Sequence, residues 1–129
     1  PLQPRYLVTE MDAVNVYNYN QIYEALQARD SLPEAFLCDN DNVAMITTKA
    51  LLALGVRVPQ DVALVAFDNT VVGKMAIPSI TSVDVHCEAQ AQACVKKLIS
   101  FIQNGETSEE RIVLPVSLAV GESVRDLRA

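Results

Sequence analysis

Two short apolar runs end abruptly in polar side chains, and these junctions carry the residue types best suited to chemistry. Phe36-Leu37-Cys38 runs into Asp39-Asn40-Asp41, and Val62-Ala63-Leu64-Val65-Ala66-Phe67 runs into Asp68-Asn69. Short runs with aliphatic residues on both faces predict buried strands of a parallel sheet. In an open parallel sheet, loops and helix N-termini converge beyond the carboxyl ends of the strands, and ligands collect there. Acidic and amide side chains at two such ends can hydrogen-bond a hydroxylated or amine-bearing small molecule. The same residue types also cap helices and shape turns, so the pattern alone leaves both readings open.

Other reactive residues form weaker patterns. His86-Cys87-Glu88, with Cys94 one heptad later, has the residue types of a metal site. No second His or CxxC pair completes it, so no metal is expected. If His86 and Cys87 lie in a strand, they point to opposite faces and make a poor nucleophilic pair. Cys38, inside an apolar run, reads as a small buried hydrophobe. The three cysteines are too few and too irregular for a disulfide framework. No glycine-rich phosphate loop follows the first predicted strand, where Glu10-Met11-Asp12 stands. The expectation is a non-enzyme with no catalytic residues and no cofactor. One alternative is a flavodoxin-like or other small-molecule-binding α/β domain.

A chain of 129 residues, half of them hydrophobic, suits one domain with a real core. Its net charge is −6, and of its ten basic residues just Lys96 and Lys97 are adjacent. A phosphate-backbone surface needs clustered cations, so this chain by itself is not expected to bind DNA. No apolar stretch approaches the roughly 20 residues of a membrane span, and no signal peptide is seen, so the expected setting is cytoplasmic, without a membrane partner. The chain begins at Pro1 rather than Met, which suggests a piece of something longer.

The elements that must position these residues follow from periodicity. Arg5 to Glu10 reads as a strand, and Asn18 to Arg29 as a helix with Tyr19, Ile22, Tyr23 and Leu26 on one stripe. Ala35 to Asp39 is the next strand. Asp41 stands where an N-cap belongs, before a helix over Asn42 to Leu54 closed by Gly55. Val58-Pro59-Gln60-Asp61 turns the chain into the strand Val62 to Phe67. Strand and helix alternating with short loops imply right-handed crossovers and a parallel sheet. Asn69 to Pro78 reads as loop with a helical turn around Val72 to Met75, and Ile80 to Val85 as extended. Glu88 to Asn104 is a strong helix with Ala91, Cys94, Val95, Leu98, Ile99 and Ile102 on one side. Ile112 to Val120 is a last strand and Val124 to Ala129 a tail.

Five motifs stand in register. They are Phe36-Leu37-Cys38-Asp39-Asn40-Asp41-Asn42-Val43-Ala44, Gly55-Val56-Arg57-Val58-Pro59-Gln60-Asp61-Val62, Phe67-Asp68-Asn69, Pro78-Ser79-Ile80-Thr81-Ser82-Val83, and Leu114-Pro115-Val116-Ser117-Leu118 with Glu122-Ser123. Together they resemble the C-terminal half of the effector-binding core of LacI/GalR-family bacterial repressors, a type I periplasmic-binding-protein-like fold. The resemblance runs from Arg5 to Ser123. It implies a three-layer open parallel sheet with helices on both faces. Residues 5–80 and 111–123 would form the C-terminal subdomain, 81–110 would cross to the N-terminal one, and 124–129 would be a tail. The helix-turn-helix, the hinge and most of the N-terminal subdomain would lie outside this sequence. The Glu88–Asn104 helix would then lack most of its natural packing surface.

The resemblance also implies roles. Asn40 matches an amide that hydrogen-bonds ligand hydroxyls in sugar-responsive members, and Asp68 matches a carboxylate that contacts the effector. Asp41 matches a near-constant Asp at a helix start, a cap near the cleft or a ligand contact, and Asp12 matches a loop position near the cleft. Members dimerise partly through the helix matching Asn42–Leu54, which makes Met45, Thr48, Lys49 and Leu52 the candidate interface. Val43, Ala44, Ile46, Ala50, Leu51 and Leu54 make that helix apolar all round. The implied partners are a carbohydrate-like effector, a second copy of the chain, and DNA through the N-terminal helix-turn-helix. Several positions depart from the family pattern. Ala13 replaces an aromatic that stacks on ligands, Asn18 and Ile46 replace helix glycines, and Gly121 or Glu122 stands where many members have a basic residue.

Overall fold

The computed structural model describes residues 18–105 and 111–126. The strand expected at Arg5–Glu10, and Asp12 with it, lie outside the described residues. Helix α1 (Tyr19–Gln27) begins where Asn18 accepts a hydrogen bond from Asn20 N at 3.0 Å, and its apolar stripe sends Leu26 into the core. Strand β1 (Ala35–Leu37) follows, then α2 (Asp41–Ala53), β2 (Ala63–Phe67), the short α3 (Val71–Met75) and β3 (Thr81–Asp84). Helix α4 (Cys87–Asn104) and strand β4 (Ser117–Ala119) complete the order.

The sheet runs β1-β2-β3-β4, the first three strands parallel and β4 antiparallel to β3. Successive right-handed crossovers in one direction along the sheet bring their helices to one face. In agreement, α2 packs on α1, α3 and β2. The core between sheet and helices is built from Leu26, Cys38, Ala44, Leu51, Leu64, Ala66 and Ile80 among others. Cys38 is buried as expected, and burial pushes its thiol up to about 12, so it stays protonated and inert.

Local chemistry explains the turns. Gly55 ends α2 with φ +78°, and Gly105 ends α4 with φ +63°, the left-handed backbone that glycine adopts without strain. The turn into β2 is clamped by Arg57, whose backbone N–H and guanidinium both donate to Asp61. That hydrogen bonding holds the Asp61 carboxyl well below the usual carboxylate range. Glu122-Ser123 folds back over the sheet. Ser123 Oγ donates to Leu64 O at 2.6 Å and accepts from Thr81 N at 2.8 Å, while Glu122 accepts from Ser79 N. A Cβ on Gly121 would stand 2.7 Å from the backbone of Ile80 and Ser79, so only glycine fits there.

Two expectations change. The last strand spans Ser117–Ala119 rather than 112–120, because β3, its ladder partner, is itself short. His86 and Cys87 are not strand residues: His86 takes a left-handed backbone before α4, and Cys87 is the first residue of that helix. Helix α4 contributes no buried residue, and Val95, Leu98, Ile99 and Ile102 of its apolar side are exposed.

Candidate functional site

Because β1, β2 and β3 are parallel neighbours, the residues that follow them lie along one edge of the sheet. Asn40 follows β1, Asp68 and Asn69 follow β2, and Asp84 ends β3. Cys38 N bonds Val65 O at 2.8 Å and Asp68 N bonds Val83 O at 2.9 Å, so the ladder holds this edge in register up to the loops.

Asn40, not Asp41, is the N-cap of α2. Its Oδ1 accepts from Val43 N at 3.0 Å, which leaves the side-chain NH₂ without a partner among the described residues. Asp68 is half-buried, with φ +95°, a backbone that non-glycine residues seldom adopt. Its carboxylate makes no hydrogen bond or ion pair among the described residues. A donor and an acceptor therefore stand uncommitted at the ends of neighbouring strands.

Asp41 is corrected on both counts. It is the first residue of α2 rather than its cap, and it is 0 % exposed. Its Oδ2 accepts from Thr70 N and from Thr70 Oγ1 at 2.9 Å, and its Oδ1 accepts from Ser82 Oγ at 2.6 Å. With its oxygens bonded inside the protein, Asp41 has no face for a ligand. It ties the start of α2 to the start of α3 and to β3, and so holds the edge on which Asn40 and Asp68 stand.

A second polar group at this edge was not foreseen. Asn69, at φ +51°, donates from its backbone N to Ser82 Oγ at 3.0 Å and from Nδ2 to Asp84 Oδ2 at 2.8 Å. Asp84 Oδ1 accepts from His86 N at 2.8 Å and lies 3.3 Å from His86 Nδ1. Ser117 Oγ is 3.3 Å from His86 Nε2. The Asn69 amide, then the His86 N–H, hold the Asp84 carboxyl below its ordinary value. No sequence signal joins Ser117 to His86; the ladder pair Asp84–Ser117 does so in space. Among the described residues no group of three His, Cys, Asp or Glu side chains could hold a metal, and no helix is long and apolar enough to cross a membrane.

The candidate dimer helix sorts its residues by rotation. Met45, Lys49 and Leu52 lie on one exposed stripe of α2, with Leu52 50 % exposed. Lys49 Nζ sits 5.3 Å from the centroid of the Tyr19 ring. Thr48 is corrected: it is 3 % exposed, and its hydroxyl donates to Ala44 O at 2.8 Å. It falls on the inward stripe with Asp41, Ala44 and Leu51, about 100° round the helix from Lys49.

A parallel-dominated α/β sheet with free polar groups along its carboxyl edge defines a ligand-binding class of domain. The model of the periplasmic binding protein-like domain matches residues 1–124, and the chain belongs to that family. It is 33% identical over 107 residues to the probable HTH-type transcriptional repressor ExuR of Bacillus subtilis (strain 168), covering 83% of this chain and 32% of that protein. Among solved structures it is similar to a transcriptional regulator CelR–cellobiose complex, with TM-score 0.74 and 30% identity over 81% of this chain and 32% of that one. It is also similar to a Lac repressor dimer bound to operator and the anti-inducer ONPF, with TM-score 0.73 and 26% identity over 82% and 36% of the two chains. The chain spans about a third of the length of these relatives. The likeness to LacI-type repressors carried by the five motifs therefore holds at the level of sequence family and of fold.

Proposed function

We propose that this chain is the effector-sensing and dimerising part of a LacI/GalR-type transcriptional regulator. A carbohydrate or sugar derivative is held against Asn40 and Asp68, between the subdomain formed by residues 5–80 and 111–123 and a second one that 81–110 enters. Effector binding favours one arrangement of the two subdomains and so changes the spacing of DNA-binding heads on a dimer. The chain acts by binding, not catalysis, in the cytoplasm, and DNA is contacted through an N-terminal helix-turn-helix. Asp12 is retained as a cleft residue on the resemblance alone. The dimer surface is the Met45–Lys49–Leu52 stripe.

The observation that carries this reading is the uncommitted pair, the Asn40 NH₂ and the Asp68 carboxylate, at the carboxyl ends of adjacent parallel strands. A hydroxyl-rich ligand needs such a donor and acceptor, and here both face the same edge of the sheet. The test uses the full-length regulator, operator binding as readout, and a panel including cellobiose and sucrose. Asp68→Asn keeps a residue type that tolerates positive φ, and Asn40→Asp keeps the capping oxygen while removing the donor. Both should lower effector sensitivity about tenfold or more at unchanged thermal stability, the loss of a buried hydrogen bond to ligand. An unaltered effector response in both variants would sink the assignment.

A further inference from the structure

Helix α4 leaves the sheet by one segment, Val85-His86, and the chain returns to it at β4. The last ladder pair before this departure is Asp84–Ser117. Beyond that rung no further β3–β4 pairing fixes how the strands diverge, and α4 itself buries nothing. The direction in which α4 departs must then be set by side chains at the neck.

A line of polar contacts stands at that place, hydrogen-bonded from Asn69 through Asp84 to the His86 backbone and continued by the His86 ring. Asn69 Nδ2 donates to Asp84 Oδ2 at 2.8 Å, and Asp84 Oδ1 takes the His86 backbone N–H at 2.8 Å. His86 Nδ1 is 3.3 Å from the same Oδ1, and Nε2 is 3.3 Å from Ser117 Oγ. A neutral imidazole protonated on Nδ1 turns its N–H side toward the Asp84 carboxylate and leaves Nε2 to accept from Ser117 Oγ. Asp68, Asn69 and His86 are also the positive-φ non-glycine residues of the described chain. Asn69 and His86 stand on this line, and Asp68 directly precedes it. Strain of this kind persists where surrounding structure over-determines it, at switches and ligand contacts.

We propose that Asn69, Asp84, His86 and Ser117 form a latch that couples contact at Asp68 to the direction of α4. The inference rests on the effector reading of Asp68. Asp68 and Asn69 are consecutive, and both are held in left-handed backbone, so a ligand that draws Asp68 turns the peptide they share. Asn69 then moves against Asp84, Asp84 carries the His86 backbone and ring, and Ser117 passes the change to the returning strand. The order Ser–His–Asp matches that of an acyl-transfer triad. Here its far end meets Asn69, beside the effector contact, and the line acts by position. All four are positioning residues. The coupling they supply is a difference in bonding between two arrangements of the neck, which is what a ligand at Asp68 can bias.

The chain contains a single histidine, so imidazole ¹⁵N resonances report on this latch without ambiguity. In alkaline buffer, with the ring neutral, the Nδ1–H tautomer should dominate. Ser117→Ala should move the population toward Nε2–H, and Ser117→Thr, which keeps the hydroxyl, should restore it. The decisive variants are Asn69→Gly, which keeps the left-handed backbone and removes the amide, and Asn69→Asp, which turns a charge on Asp84. Asn69 donates to Asp84, not to the imidazole, yet both variants should shift the His86 signals and speed amide exchange at His86 and Ser117 severalfold. A dominant Nε2–H tautomer in the unaltered chain, or His86 and Ser117 signals unmoved in both Asn69 variants, would overturn the latch. The readout needs no effector, so the latch can fail while Asp68 still proves to be a ligand contact. Conversely, an effector response indifferent to Asp68→Asn, with the tautomer as expected, would remove the effector reading and the coupling with it, leaving the contacts at the neck as structure alone.

Discussion

Replacing Asp41 by Ala tests whether the carboxyl edge is held by a buried acceptor. Asp41 is 0 % exposed and takes hydrogen bonds from Thr70 N, Thr70 Oγ1 and Ser82 Oγ. Bonds to a charged acceptor contribute about 1.5–3 kcal/mol each, but they do not add, because Thr70 is half-buried and its hydroxyl can turn toward water. Ser82 cannot do so, being 1 % exposed, and its O–H left without an acceptor, together with the Thr70 N–H, costs about 1–3 kcal/mol apiece. The combined loss for Asp41→Ala is then about 3–5 kcal/mol, a large share of the stability of a typical domain. Asp41→Asn keeps the volume and the acceptor for Thr70, and its amide can donate to Ser82 Oγ, which leaves the Ser82 O–H alone unpaired. Its expected loss is about 1–2 kcal/mol. Urea unfolding followed by circular dichroism, with the slope unchanged between variants, measures both. An Asp41→Ala protein within about 0.5 kcal/mol of the unaltered chain would show that the edge stands without this acceptor, and the argument would fail.

Gly73→Ala should cost about 1–3 kcal/mol in the same assay, because the new Cβ would lie 2.7 Å from Asp41 Cγ; in an Asp41→Ala background the penalty should largely vanish, a coupling read from the double-mutant cycle. Leu52→Glu should shift a dimer of the full-length regulator toward monomer in sedimentation with its thermal stability intact, whereas Thr48→Glu should unfold the protein; a dimer indifferent to Leu52→Glu would move the interface off this stripe. Asp84 is held below its ordinary value first by the Asn69 amide, so its bonding stabilises the fold above the unfolded carboxylate pKa and is lost as pH falls through the lower folded one. Asn69→Gly should therefore flatten the acid-side loss of stability, and an unchanged pH profile would contradict the assignment.

Most of the fold and part of the site were legible in the amino-acid order. Alternation from apolar runs to helical stripes located β1, α2 and β2 to within a residue or two, since burial on the sheet faces leaves a local pattern. Gly55 and Gly105 marked helix ends, because a left-handed backbone is a property of the residue itself. Asn40 and Asp68 were legible as polar side chains where strands stop. What tertiary structure decided is how adjacent, chemically similar residues divide their work. Asn40 and Asp41 can both cap a helix, and the assignment turns on donors from Thr70 and Ser82, which reach Asp41 from 29 and 41 residues away. Thr48 and Lys49 are neighbours in sequence, yet packing against the core fixes the helix rotation that buries one and exposes the other. β4 stops short of its apolar run because a strand extends only as far as its partner, and Ser117 meets His86 because that ladder ends beside it. Periodicity is written locally in a sequence, whereas the partner of a side chain is a fact about two distant segments and exists only once they are packed.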